Sequence, residues 1–318
     1  MIRPCFRLGL LGLLCSSLIL VPPARGQSLV EKLGYPAGSK LLLIHGDDIG
    51  MSHAANKASI DALDKGIVTC GSIMVPCPWF LEIAAYARAH PEADLGLHLT
   101  LTAEWKNYRW RPLADLAKVK GLIDPEGYMF HDVAPVYASA CPEEIEAEVR
   151  AQIEFARAHG VTPTHLDSHM GTLYYNPEYL KVAWRLAEEY DIPFMLFSSA
   201  SPVLSRTNNP DVKTLAQQLE ARGVPLLDNL ESIENTPVDQ SESFYRDLIR
   251  NLQPGVTELI IHLADNSEEI QAITGNWRQR FADYTIFTDP KTKAFLDEQQ
   301  VHLIGWKDLL PLWKNRQR

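Results

Sequence analysis

The sequence contains no Cys-x-x-Cys pair among its five cysteines, so a thiolate zinc site has no support. No Gly-x-Gly-x-x-Gly follows a strand-like segment, which argues against a dinucleotide-binding sheet. No repeat, low-complexity tract or linker divides the chain. Basic residues are scarce: 30 Lys and Arg stand against 40 Asp and Glu, giving a formal charge of −10. An acidic body repels phosphate, so nucleic acid and anionic membrane surfaces are not expected partners. No apolar run reaches the ~20 residues of a membrane span.

The first 26 residues read as a signal segment rather than part of a fold. Arg3 and Arg7 make a positive start, Leu8 to Leu20 is almost wholly apolar, and Ala24-Arg25-Gly26 supplies small residues for cleavage. Cys15 follows Leu14, not the small residue that precedes a lipidated cysteine. The expected mature protein, 27–318, is exported to the periplasm or medium, with no membrane association once the segment is removed. Losing three arginines and no acid takes its charge from −10 to −13. Of the remaining Cys70, Cys77 and Cys141, the first two could pair but read more simply as buried thiols. The oligomeric state stays open, with a homodimer as one candidate.

Strand-like segments at 40–45, 68–75, 94–101, 164–168, 193–197, 224–227, 258–263 and 301–304 alternate with amphipathic stretches. The clearest helices are 53–65 and 143–159. The latter has Ile145, Val149, Ile153 and Ala156 at helical spacing, with Pro142 at its start. Eight strands alternating with helices predict one α/β domain with a closed or nearly closed, TIM-like (β/α) barrel. The runner-up is an open doubly wound sheet. The longest irregular region, 102–140, is rich in Trp, Tyr and Pro and is expected on the face where barrel loops carry function.

The residues that carry chemistry cluster at strand ends. Leu41-Leu42-Leu43-Ile44-His45-Gly46-Asp47-Asp48 reads as a buried strand followed by a turn at Gly46 and two carboxylates. Adjacent buried carboxylates are costly unless neutralised, and a divalent metal with a general base beside it would do so. The simpler alternative is a helix-capping pair. His98 lies in Gly96-Leu97-His98-Leu99-Thr100, and two more His lie in Thr164-His165-Leu166-Asp167-Ser168-His169. His169, just past its strand, can reach a metal, and Asp167 or Ser168 can orient an imidazole. His262 ends another buried strand, where an imidazole can give a proton to a leaving group or be an inert core residue.

These motifs, in this order, resemble the YdjC-like (ChbG-like) carbohydrate deacetylases, from about residue 40 to His262. The resemblance implies a deformed (β/α) barrel that removes acetyl groups from N-acetylated sugars with one divalent metal. It assigns Asp48, His98 and His169 to the metal, with His165 and Asp167 behind them. Asp47 becomes the general base and His262 the acid; the roles within the Asp pair rest on analogy and could be reversed. Two departures stand out: Gly171 where such proteins often have a further His, and His262-Leu263-Ala264 where they often have His-Pro-Gly.

The reading is therefore an exported hydrolase of acetylated sugars that uses Zn²⁺ or Mg²⁺. Trp79, Trp105, Tyr108 and Trp110 are candidates for stacking on sugar rings. The rivals are a metal hydrolase of another ester or phosphoester and a catalytically inactive carbohydrate-binding protein.

Overall fold

The computed structural model describes residues 27–207 and 210–317. The expected signal segment, 1–26, lies outside the described residues. Seven parallel strands form the sheet: β1 Lys40–Ile49, β2 Cys70–Ile73, β3 Leu95–Leu99, β4 Leu166–Ser168, β5 Asn229–Ser232, β6 Gly255–His262 and β7 Val301–Leu303. The order is β4-β3-β2-β1-β6-β5, with β7 paired to β1. β1 is buried from Leu41 onward, as suits a central parallel strand covered on both faces.

The fold is a deformed (β/α) barrel, as predicted, but its closure is irregular. Segments 193–197 and 224–227 are not regular strands. Each contributes single bridges, Leu166 with Phe194 and Phe197 with Leu227. Leu166 N–H donates to Pro193 O at 2.7 Å, Leu227 N–H to Leu196 O at 2.9 Å and Asp228 N–H to Val256 O at 2.9 Å, carrying the ring from β4 across to β6. Pro193 has no N–H to extend a ladder. The eighth expected strand forms as β7 but pairs only with Lys40–Leu42, at the start of β1. It does not separate β1 from β6, which pair directly along Lys40–Asp47.

The helices follow local chemistry. His53–Lys65 begins after Ser52, whose side chain accepts Ala55 N–H at 3.1 Å. Pro142–Ala158 has Pro at its first turn, and Glu144 accepts the Cys141 N–H at 2.9 Å. Ile145, Val149, Ile153 and Ala156 are buried, and so are Glu148 and Gln152 on the same helix. Among the described residues no helix is long and apolar enough to cross a membrane. Cys70 and Cys77 are free buried thiols, and Cys141 is free and exposed.

The 102–140 insertion folds into two 3₁₀ turns and the helix Val133–Ser139. Glu148 fastens it to the barrel by accepting Leu113 N–H at 3.1 Å and Ala114 N–H at 2.9 Å, while Gln152 Nε2 donates to it at 2.8 Å. Glu148→Ala leaves these buried donors unpaired, at a cost of roughly 1–3 kcal/mol. The expected outcome is a lower denaturant midpoint with faster proteolysis confined to 102–140; unchanged cleavage there would show that Glu148 does not hold the insertion.

Candidate metal centre

The expected turn at Gly46 is displaced. β1 continues through both carboxylates to Ile49, and its pairing with β2 runs from Gly46–Gly71 directly to Ile49–Ile73. Asp47 and Asp48 on β1 therefore oppose the single residue Ser72, a β-bulge. Asp48 has φ 60°, a left-handed conformation that Asp tolerates better than most residues. Successive side chains of a regular strand point to opposite faces, and the bulge overrides that alternation. Both carboxylates lie within reach of His98, at 3.8 Å from Asp47 Oδ2 and 3.4 Å from Asp48 Oδ1 to its Nε2.

Asp48 Oδ1 is the focus of the site. It is buried and has no hydrogen bond of acceptable geometry. His98 Nε2 lies 3.4 Å away and His169 Nδ1 3.3 Å away. The far nitrogen of each ring is held by a carboxylate: His98 Nδ1 by Asp167 Oδ1 at 2.7 Å and His169 Nε2 by Glu104 Oε2 at 3.0 Å. This is how proteins fix the tautomer and direction of metal-binding imidazoles. One carboxylate oxygen and two imidazole nitrogens suit a borderline cation such as Zn²⁺, so the donor set fits a divalent metal.

The other oxygen of Asp48 faces a different environment. Arg280 Nη2 lies 2.5 Å from Oδ2, and His262 Nε2 lies 3.9 Å from it. Burial would raise the Asp48 pKa, but Arg280 and His169 hold it well below the usual carboxylate range. Among the described residues no guanidinium pairs with Asp47. Burial, opposed by His98 and His45, pushes its pKa up to about 6, close to where a general base works best. The two neighbouring aspartates thus differ through their partners alone.

His262 remains 38% exposed in its side chain and borders a cleft of about 760 Å³, with Asn235, Asn276, Arg278 and Arg280. His165 makes no hydrogen bond to His98 or His169; its Nδ1 lies 3.0 Å from Thr164 Oγ1. It is fully buried, stacks on Trp306 at 4.9 Å and meets His45 edge-on. A Cβ on Gly96 would come within 2.5 Å of its ring, which accounts for the glycine before His98. At Gly171 the ring of Tyr175 covers the place of a side chain.

The aromatic candidates separate. Trp79 is 37% exposed and lies beside His53. Trp105, Tyr108 and Trp110 pack on one another with centroids 5.4–6.3 Å apart. Trp110 is 4% exposed, so its ring offers no free face to a sugar. Trp105 is nearly buried, with Arg280 over its ring, and Tyr108 donates its hydroxyl to Met51 O. Sequence reasoning did not single out Glu104, Arg280, Ser72 or Glu258. None lies in the three motifs, and only the barrel brings them to the site.

The family model for YdjC-like proteins matches residues 41–298. The chain belongs to the YdjC-like protein family. A carbohydrate deacetylase of Thermus thermophilus is 34% identical over 280 residues, spanning 88% of this chain and 97% of its own. A carbohydrate deacetylase of Geobacillus stearothermophilus is 27% identical over 271 residues, 85% of this chain and 98% of its own. A solved structure from Enterococcus faecalis V583, described as a cellobiose-phosphate cleavage protein, is 26% identical with a TM-score of 0.71 and covers 85% of this chain and 99% of that one. This YdjC-like chain therefore shares both sequence and barrel with its relatives over nearly their whole length.

Proposed function

We propose that this YdjC-like protein is a metal-dependent carbohydrate deacetylase acting on an N-acetylated sugar. The observation that carries the metal is the orphaned Asp48 Oδ1 between two imidazole nitrogens, each ring braced by a carboxylate from behind. The carbohydrate deacetylases among its relatives support the reaction. Asp48, His98 and His169 would hold the cation. A divalent cation bound there supplies positive charge that acidifies water and draws negative charge onto the acetyl oxygen.

Asp47 then takes a proton from the attacking water, whose oxygen bonds to the acetyl carbon. The C–N bond breaks, leaving acetate and a free amine. Burial and Arg280 push the His262 pKa down to about 3, so its ring is neutral. It passes to the departing nitrogen a proton it first receives, the one Asp47 took from water keeping the count. The cleft beside His262, lined by Asn235, Asn276, Arg278 and Arg280, admits the sugar. Export follows from the reading of 1–26. N-terminal sequencing of exported protein should begin near Gln27, and a start at Met1 would overturn it.

The Asp pair tests the assignment. Asp47→Asn should retain zinc and lose roughly 10²–10⁴-fold in turnover, because an amide cannot accept the proton. Asp48→Asn should instead lower zinc affinity, since a neutral group replaces an anionic ligand. Metal content measured with acetate release separates the two, and the opposite pattern would exchange the roles. His262→Ala should slow amide hydrolysis more than hydrolysis of an activated acetyl ester, whose leaving group needs no proton. Equal slowing of both would remove His262 as the acid.

A further inference from the structure

Behind the metal centre lies a second buried polar cluster that the proposed reaction does not use. His45 is fully buried inside the barrel. Its Nδ1 pairs with Glu258 Oε1 on β6, and that oxygen also accepts Trp306 Nε1–H at 3.1 Å. Its Nε2 lies 3.0 Å from Ser72 Oγ, 3.3 Å from Asp47 Oδ1 and 3.4 Å from Asp167 Oδ2. Cys70 and His165 complete its surroundings. Three buried carboxylates thus converge on one imidazole. Among the described residues, no Lys or Arg pairs with Asp47, Asp167 or Glu258; imidazoles are their only ion-pair partners.

A His–Glu pair in a strand interior is an expensive way to fill space. Apolar residues of similar volume are commonly as stable or more so. Clusters of buried ionisable groups concentrate at functional sites. Asp47 Oδ1 accepts Ser72 Oγ–H at 3.3 Å; Ser72 Oγ lies 3.0 Å from His45 Nε2 and 3.2 Å from His98 Nδ1, and His45 Nε2 makes an ion-pair contact with Asp47 Oδ1 at 3.3 Å. Asp47 Oδ2 is the oxygen that faces His98 Nε2, at 3.8 Å, on the side of the metal centre.

We propose that His45, backed by Glu258, is a positioning residue for the general base: it holds Asp47 by Oδ1, directly and through Ser72, so that Oδ2 faces the attacking water. The proposal rests on the deacetylase reading for its catalytic consequence and on geometry alone for the carboxylate's orientation. The ring's setting agrees with a donor at both nitrogens. Burial opposes its charge, and the Glu258 carboxylate facing Nδ1 raises its pKa above the ordinary value.

The test uses the zinc-loaded protein with an acetylated chitooligosaccharide. His45→Asn should keep zinc at the wild-type stoichiometry and KM within about threefold, while kcat falls about 10²-fold; Glu258→Gln should lose about tenfold, in the range seen for groups that orient a reacting side chain. Because His45 acts through Asp47, the double variant His45→Asn with Asp47→Asn should be no slower than Asp47→Asn alone. Multiplying effects, or zinc lost in step with kcat, would overturn the proposal. If His45→Asn does not fold, Glu258→Gln, which acts on His45 from behind and pairs with neither Asp47 nor His98, enters the same cycle. A wild type that releases no acetate from acetylated sugars would refute the deacetylase reading. The crystal structure of zinc-loaded His45→Asn, or of Glu258→Gln in its place, would still decide the positioning role. An Asp47 carboxylate turned from its wild-type rotamer supports it, and an unmoved carboxylate overturns it.

Discussion

A carboxylate pushed into the interior of a parallel barrel must be neutralised, and the centre of this molecule is arranged around that need. Asp48 and Asp47 are 2% and 5% exposed, and they enter the barrel together because of one extra residue in β1. Each oxygen then has its own environment. Asp48 Oδ2 takes Arg280, while Asp48 Oδ1 stands among imidazole nitrogens with no hydrogen bond of its own. Leaving a buried polar atom unpaired is costly in a folded protein. A cation shared with His98 and His169 would remove that cost.

The barrel assembles this centre from segments far apart in the chain. β1 brings the carboxylates, β3 brings His98, and the turn after β4 brings His169. The insertion returns to the site through Glu104, and Arg280 arrives from the helix Trp277–Thr288. Glu148 and Gln152 of the helix Pro142–Ala158 tie the insertion and the segment after β3 to the same support. The candidate ligands are thus carried on or beside strands, and their bracing carboxylates come from different elements. Such a design holds imidazoles in direction before any cation arrives.

Much of this was legible in the sequence. The helix predicted over 53–65 is found as His53–Lys65, because a Ser cap and an alternating apolar face act locally. The helix predicted over 143–159 differs by one residue at each end. The buried run 41–44 and the groups Asp48, His98 and His169 are brought together as the motifs implied. The rest depends on tertiary contacts. The bulge at Asp47 and Asp48 exists only against β2, so a local reading placed the turn at Gly46 instead. Segments 193–197 and 224–227 are apolar enough for strands, but they close a distorted ring with single bridges. Glu104 and Arg280 carry no motif, and Trp110 has the composition of a sugar platform with the burial of a core residue.

The most direct test of the account is anomalous scattering at the zinc edge from crystals of the zinc-loaded protein. The account predicts a single peak bonded to Asp48 Oδ1, His98 Nε2 and His169 Nδ1, with zinc–ligand distances of about 2.0–2.2 Å. A peak held instead by His45, Cys70 and Glu258, or by Asp47, His98 and Asp167, would contradict it.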